Sequence, residues 1–137
     1  MTGFQILGHT ADIRLKVVGK DYEELFKNSA LGLAKILDNN FEKKIKFIRG
    51  FEKIVINADN YDILLVNFLN EILTKSSINK KVYPLVKILK LSPLNIEAHI
   101  SGYSINRFDK DVKAISYHQS QIIKTKRGLE VIFVLDI

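Results

Sequence analysis

The chain has 137 residues, no cysteine and a formal net charge of +6, with a pI near 9.5. That length suits one domain that buries a core without staples, and the missing cysteines exclude both a disulfide framework and a thiolate metal site. The hydrophobic fraction of 47% and charged fraction of 26% are those of an ordinary globular chain, and no segment approaches the roughly 20 apolar residues that span a bilayer. The start, "MTGFQILGHTADIR", has neither the basic opening nor the apolar stretch of a signal peptide, so the expectation is a cytoplasmic protein with no membrane partner.

In chain order, "FQIL" (Phe4 to Leu7) is a short strand candidate. "DIRLKVV" alternates: Ile13, Leu15 and Val17 share one side, and Asp12, Arg14, Lys16 and Val18 the other, the pattern of a half-buried strand. "KDYEELFKNSALGLAKILDNN" predicts a helix, with Asp21 and Glu24 at capping-box spacing and Tyr22, Leu25, Phe26, Leu33, Ile36 and Leu37 recurring at helical intervals. "EKKIKFIRGFEKIVINA" predicts two strands with a turn near Arg49-Gly50.

"DNYDILLVNFLNEILTKSS" predicts a second helix, its buried stripe being Leu64, Leu65, Phe68, Leu69 and Ile72. Asp59 or Asn60 caps its start, and Asp62 suits the positive end of the dipole. "PLVKILKLS" and "LNIEAHISGY" follow as strands separated by Pro93, and "SINRFDKD" as a polar loop. "VKAISYHQSQIIK" and "LEVIFVLDI" close the chain as a hairpin turning at Arg127-Gly128. The basic run "KTKR", Lys124 to Arg127, reads first as the solvated tip of that hairpin and only second as a phosphate-binding patch.

This order implies an α+β fold: a single-domain sandwich, residues 1–137, of mostly antiparallel β-sheet covered by two α-helices. Sheet pairing can then bring the early strand that starts at Asp12 beside the final strand that ends at Asp136.

The common catalytic signatures are missing: there is no Gly-rich phosphate loop, no GxSxG and no HExxH. With only His9, His99 and His118, a histidine-rich zinc site is not expected. Two acidic features remain, Asp12 just after "GHTA" and Asp136 beside the carboxylate of Ile137. Oxygen ligands of this kind suit a hard cation such as Ca²⁺ or Mg²⁺, but Lys or Arg can neutralise two neighbouring carboxylates equally well. His9 and His118 each have a plain alternative, a hydrogen bond to backbone at a sheet edge.

"GHTADIRL" near the start, "VKAISYHQ" late and the ending "VLDI", together with the "LLVNFLNEIL" helix, resemble the archease family in order and spacing over essentially the whole chain. That resemblance implies a non-enzymatic cofactor of the RtcB-type RNA ligase, with no catalytic residue of its own. The ligase joins 2′,3′-cyclic-phosphate or 3′-phosphate RNA ends to 5′-hydroxyl ends in tRNA splicing and RNA repair, after guanylylation of a histidine. The cofactor promotes that guanylylation and multiple turnover, and meets tRNA or other RNA indirectly, through the ligase. A chaperone-like or basic RNA-binding module beside RNA-modifying enzymes is the alternative, although neither an RRM-type aromatic motif nor a GXXG loop is present. A hydrolase with a metal-activated water would need a general base that the sequence does not name.

The resemblance further implies a divalent metal held by Asp12, Asp136 and the terminal carboxylate of Ile137, with Ca²⁺ first and Mg²⁺ or Mn²⁺ as alternatives. It makes Lys113, in "VKA", a residue tied to activity, and casts His9 and His118 as supporting residues of the partner-activating end. The chain departs from the family pattern at Gln119 after "YH", at Asp111 before "VKA", and around Gly102, where "ISGYSI" lacks an expected Trp and Glu. The metal trio is intact, so these departures bear on the surrounding partner surface.

Overall fold

The computed structural model describes residues 3–8, 12–118 and 121–137. Its elements are β1 (Phe4–Gly8), β2 (Asp12–Gly19), α1 (Tyr22–Leu37), a 3₁₀ helix (Phe41–Phe47), β3 (Glu52–Asn57), α2 (Tyr61–Asn79), β4 (Lys81–Ser92), β5 (Asn95–Ser104), β6 (Ala114–Tyr117), β7 (Ile123–Thr125) and β8 (Gly128–Asp136). The α+β class holds, but the strands divide into two antiparallel sheets. One has the order β1-β2-β8-β6, with β7 also paired to β8; the other has the order β3-β5-β4.

Both helices start as their caps dictate. Asp21 Oδ1 accepts from Glu24 N at 2.9 Å, and Lys20 N donates back to Glu24 Oε1 at 3.1 Å. At α2 the cap is Asn60, whose Oδ1 accepts from Ile63 N at 2.9 Å. Helix α1 lies against β1 and β2 of one sheet and β4 of the other; α2 lies against β3, β4 and β5 and against β6. The core therefore joins alternate strand residues, Leu15, Val17, Phe133, Leu135, Ile96, Ala98 and Ile100, to Phe26, Leu33, Leu64, Leu65, Phe68 and Leu69. Tyr22, predicted in the α1 stripe, is only half-buried and stacks on Tyr61, ring centroids 3.6 Å apart.

Three expectations need correction. "EKKIKF" is not a strand but the 3₁₀ helix: Phe41, Ile45 and Ile48 sit at i, i+4 and i+7 and pack on the core, while Phe47 is 62% exposed. Helical spacing of those three anchors outweighs the short alternation of Lys44 to Phe47. Strand β4 begins at Lys81, before Pro84, and its register slips between Val82 and Leu85. A bulge on an edge strand is where a proline without an N–H is tolerated. Opposite it, a Cβ on Gly102 would lie 2.2 Å from the Val82 carbonyl oxygen, so glycine permits the close approach there.

The last correction concerns the closing hairpin. It turns at Lys126–Arg127, and Gly128, at φ +131, already opens β8. Its partner is split into β6 and β7, because Tyr117 pairs with Phe133 whereas Ile123 pairs with Glu130. The break between β6 and β7 falls opposite Val131 and Ile132 of β8.

Candidate functional site

The two carboxylates singled out in the sequence meet at one end of the larger sheet. In the β2–β8 ladder Ile13, Leu15 and Val17 pair with Leu135, Phe133 and Val131 on the core side. With a period of two, the alternate residues share the opposite face, and the last such pair is Asp12 with Asp136. Asp136 also pairs with Ala114 of β6, so it stands on the strand between the other two.

Directly opposed residues hold their Cβ atoms about 4.5–5.5 Å apart, and like charges in that relation destabilise a sheet. Among the described residues no ion pair neutralises either carboxylate. Asp12 Oδ1 is buried and has no hydrogen-bond partner there either. An orphaned carboxylate oxygen beside a second carboxylate fits a cation, and an all-oxygen donor set fits a hard one. No three His, Asp or Glu side chains converge among the described residues, so the two carboxylates do not by themselves make a metal site. Ile137 packs partly against the core beside Asp136, which holds its main chain at the same end.

Lys113 lies next to this pair. It is exposed, and its backbone N–H donates to the Asp136 carbonyl at 2.7 Å. His118 is farther along the same face: its backbone N–H donates to Ile132 O at 2.9 Å, and its ring Nε2 accepts from Arg14 Nη1 at 3.2 Å. His9 lies outside the described residues, as does Gln119. The structure thus brings Asp12, Asp136, Ile137 and Lys113 together, and sets His118 opposite Ile132, four residues along β8 from Asp136, where it meets Arg14.

Three residues of this end have contacts that the sequence reading did not assign them. Arg14 follows Asp12 by two on the same face, and its buried Nε has no partner among the described residues. Asn70 of α2 donates from Nδ2 to Ile115 O at 2.9 Å and accepts from Ile115 N at Oδ1, 3.2 Å. It thereby replaces a missing strand along the open edge of β6 and fixes the strand that follows Lys113. Asp62 Oδ1 accepts from Ile122 N at 3.0 Å, and its carbonyl accepts from the Tyr117 hydroxyl. Burial, and then the Asp62 carboxylate, push the Tyr117 hydroxyl pKa well above its ordinary value, so this tie stays protonated.

A second, structural carboxylate, Asp38, follows the last turn of α1. Asp38 is 3% exposed and accepts from Lys44 Nζ at 2.8 Å, Tyr103 Oη at 2.7 Å and Asn40 N at 3.0 Å. Burial alone would raise its pKa, but these donors outweigh it and hold the carboxyl below its ordinary value. This network forms part of a cleft of about 590 Å³ lined by Lys44, Phe47, Tyr103 and Arg107.

Known proteins resemble this chain over nearly its whole length. Residues 4–137 match the model of the "Archease protein family (MTH1598/TM1083)". The chain is 29% identical to a protein archease of Methanosarcina barkeri, covering 98% of this chain and 95% of that one. It is 30% identical to a protein archease of Saccharolobus islandicus, over all of both chains. The solution structure of Methanobacterium thermoautotrophicum protein 1598 superposes with a TM-score of 0.76 over 100% of each chain, at 22% identity, which establishes the shared fold.

Proposed function

We propose a function for this chain on one premise: it belongs to the archease family, matched over residues 4–137 and at 30% identity over a full-length relative. The proposed role is that of a non-enzymatic activator of an RtcB-type RNA ligase in tRNA splicing and RNA repair. The ligase, not this chain, carries the guanylylated histidine and the ligation chemistry. The reading puts the protein in the cytoplasm, in contact with RNA through the ligase.

The observation that carries the reading is the cross-strand pair Asp12–Asp136 with its orphaned oxygen at Asp12 Oδ1. Asp12, Asp136 and the terminal carboxylate of Ile137 would hold a divalent cation, Ca²⁺ before Mg²⁺ or Mn²⁺. Bound there, the cation would offset the repulsion of the carboxylates and present open coordination positions to a partner. The sheet does the rest. β2 and β6 fix the two sides of Asp136, Asn70 fixes β6, and Lys113, exposed and bonded through its backbone to Asp136, would offer a positive group to a phosphate or an acidic side chain of the ligase. Activation then means binding the guanylylation-competent ligase better than the resting one. A preference worth about 3 kcal/mol raises a rare state roughly a hundredfold.

The test is single-turnover guanylylation, and multiple-turnover ligation, by the cognate ligase with wild type, Asp12→Ala and Asp136→Ala. Wild type should stimulate both steps and each variant should lose that stimulation. Full activity in either variant rejects the acidic end as the active element. A residue appended after Ile137 tests the terminal carboxylate separately.

A further inference from the structure

The face of the smaller sheet that turns away from the helices has a chemistry that ligase activation through the acidic end does not use. We propose that this face of the β3-β5-β4 sheet binds single-stranded RNA directly, an unpaired base stacking on Phe51 beside His99 and flanking phosphates meeting Lys53, Lys87 and Lys90.

The ladders set the layout. Lys53, His99 and Lys87 form one row across the three strands; Val55, Glu97 and Lys90 form the next on the same face. Their intervening neighbours Ile54, Ala98 and Ile100 are the buried ones. Phe51, just before β3, lies flat on the His99 ring, centroids 4.0 Å apart and planes 22° apart, yet it remains 63% exposed. A large aromatic ring supported from beneath and open above is a stacking platform, and every base has a π-face to offer it.

The charge around the platform selects a polyanion. Strand β4 carries Lys81, Lys87 and Lys90 and no acidic residue. Glu97 is the one carboxylate of the two rows; it pairs with Lys53 at 3.4 Å, so Lys53 meets a phosphate by sharing or leaving that exposed pair. Lys87 and Lys90 are exposed and form no ion pair among the described residues. The exposed apolar residues of β3 and β4, Val55 at 52%, Leu85 at 40% and Leu89 at 44%, are interspersed with Lys53, Lys87 and Lys90. An exposed sheet that combines a stacked aromatic with lysines matches single-stranded RNA better than a protein helix or a duplex, whose bases are already stacked.

The experiment is fluorescence anisotropy with the full chain and a labelled oligouridylate of about twelve nucleotides, within the usual site size, without ligase. The wild type should bind, and its affinity should fall with log salt at a slope near −2, as about three phosphate contacts require. Phe51→Ala should weaken binding about tenfold or more, whereas Phe51→Tyr should keep it. Lys87→Glu with Lys90→Glu should weaken it by more and flatten the salt slope. Lys124→Glu with Lys126→Glu, on the β7–β8 turn, should change it little. Circular dichroism melts verify that these exposed substitutions leave the fold intact. The proposal is overturned if wild type does not bind, if a duplex binds as well as the single strand, or if only the turn variant matters. It is also overturned if the Lys87/Lys90 variant loses ligase activation while wild type alone shows no RNA binding, which would make the face a protein contact. With no ligase present, failure here leaves the activation reading standing, and the converse also holds.

Discussion

The two sheets share a construction and turn opposite chemistry outward. In the long strands β2, β8 and β5, every second residue enters the core, and the residues between are free to carry something else. On the larger sheet that remainder ends in two carboxylates, Asp12 and Asp136, at the meeting of β2 and β8. On the smaller one it is Lys53, His99 and Lys87 in a row, with Phe51 stacked above. The acidic pair unites the first and last long strands of the chain, whereas the basic face comes from strands that follow one another around α2. An acidic end and a basic face on separate sheets allow two kinds of contact to be made and altered independently.

The comparison can be broken most severely in the core beneath the acidic end. Phe133 is fully buried in β8 and stacks on Tyr117 at 5.4 Å. Phe133→Ala should cost about 3–5 kcal/mol in urea unfolding, against less than about 0.5 kcal/mol for Val55→Ala on the exposed basic face. Next in size is the response to calcium. At a hundredfold excess over its Kd, Ca²⁺ should stabilise the wild type by about 2.7 kcal/mol, read as a raised Tm. Asp12→Ala and Asp136→Ala should show no such rise and, without calcium, should be no less stable than wild type, since the like-charge pair is gone.

A smaller effect belongs to Asn70. Asn70→Ala leaves the Ile115 N–H and C=O without their partner and should cost about 2 kcal/mol. It should lower ligase stimulation with it, because β6 leads from Lys113; RNA binding by the smaller sheet should not change. The smallest is at Asp38, whose loss in Asp38→Asn should cost about 1.5 kcal/mol at pH 7, the range of a hydrogen bond to a charged group. Its folded-state pKa is lowered, so the contribution is present above the unfolded value and is lost as pH falls through the folded one. Wild type should therefore lose more stability than Asp38→Asn between about pH 5 and pH 2, in urea midpoints measured across that range.

Much of this was legible in the residues. The period-two pattern of "DIRLKVV" and the stripes Leu25–Phe26–Leu33 and Leu64–Leu65–Phe68 fall on buried positions because local periodicity and burial are the same fact seen twice. Asp21 and Asn60 act as caps because capping is a contact within four residues. The failures also have a local cause. "EKKIKF" offered too short an alternation to distinguish a strand from a turn anchored at Phe41 and Ile45. A polar residue in the middle of a helix, such as Asn70, reads as a solvent-facing one until the strand edge it serves is known.

The sequence by itself determined the buried side of β2, most of the apolar stripes of α1 and α2, where both long helices start, and that Asp12 lies on the side of its strand opposite Ile13, Leu15 and Val17. Those are matters of spacing along a chain with fixed helical and strand periods. The tertiary structure alone decided that Asp12 and Asp136 are direct partners, that Asn70 closes the β6 edge, that Arg14 reaches His118, and that Phe51 and His99 form a platform among lysines. Each of these depends on register between strands distant in sequence. A shift of one residue would turn every such side chain to the other face, and only the packed core of the whole molecule fixes that register.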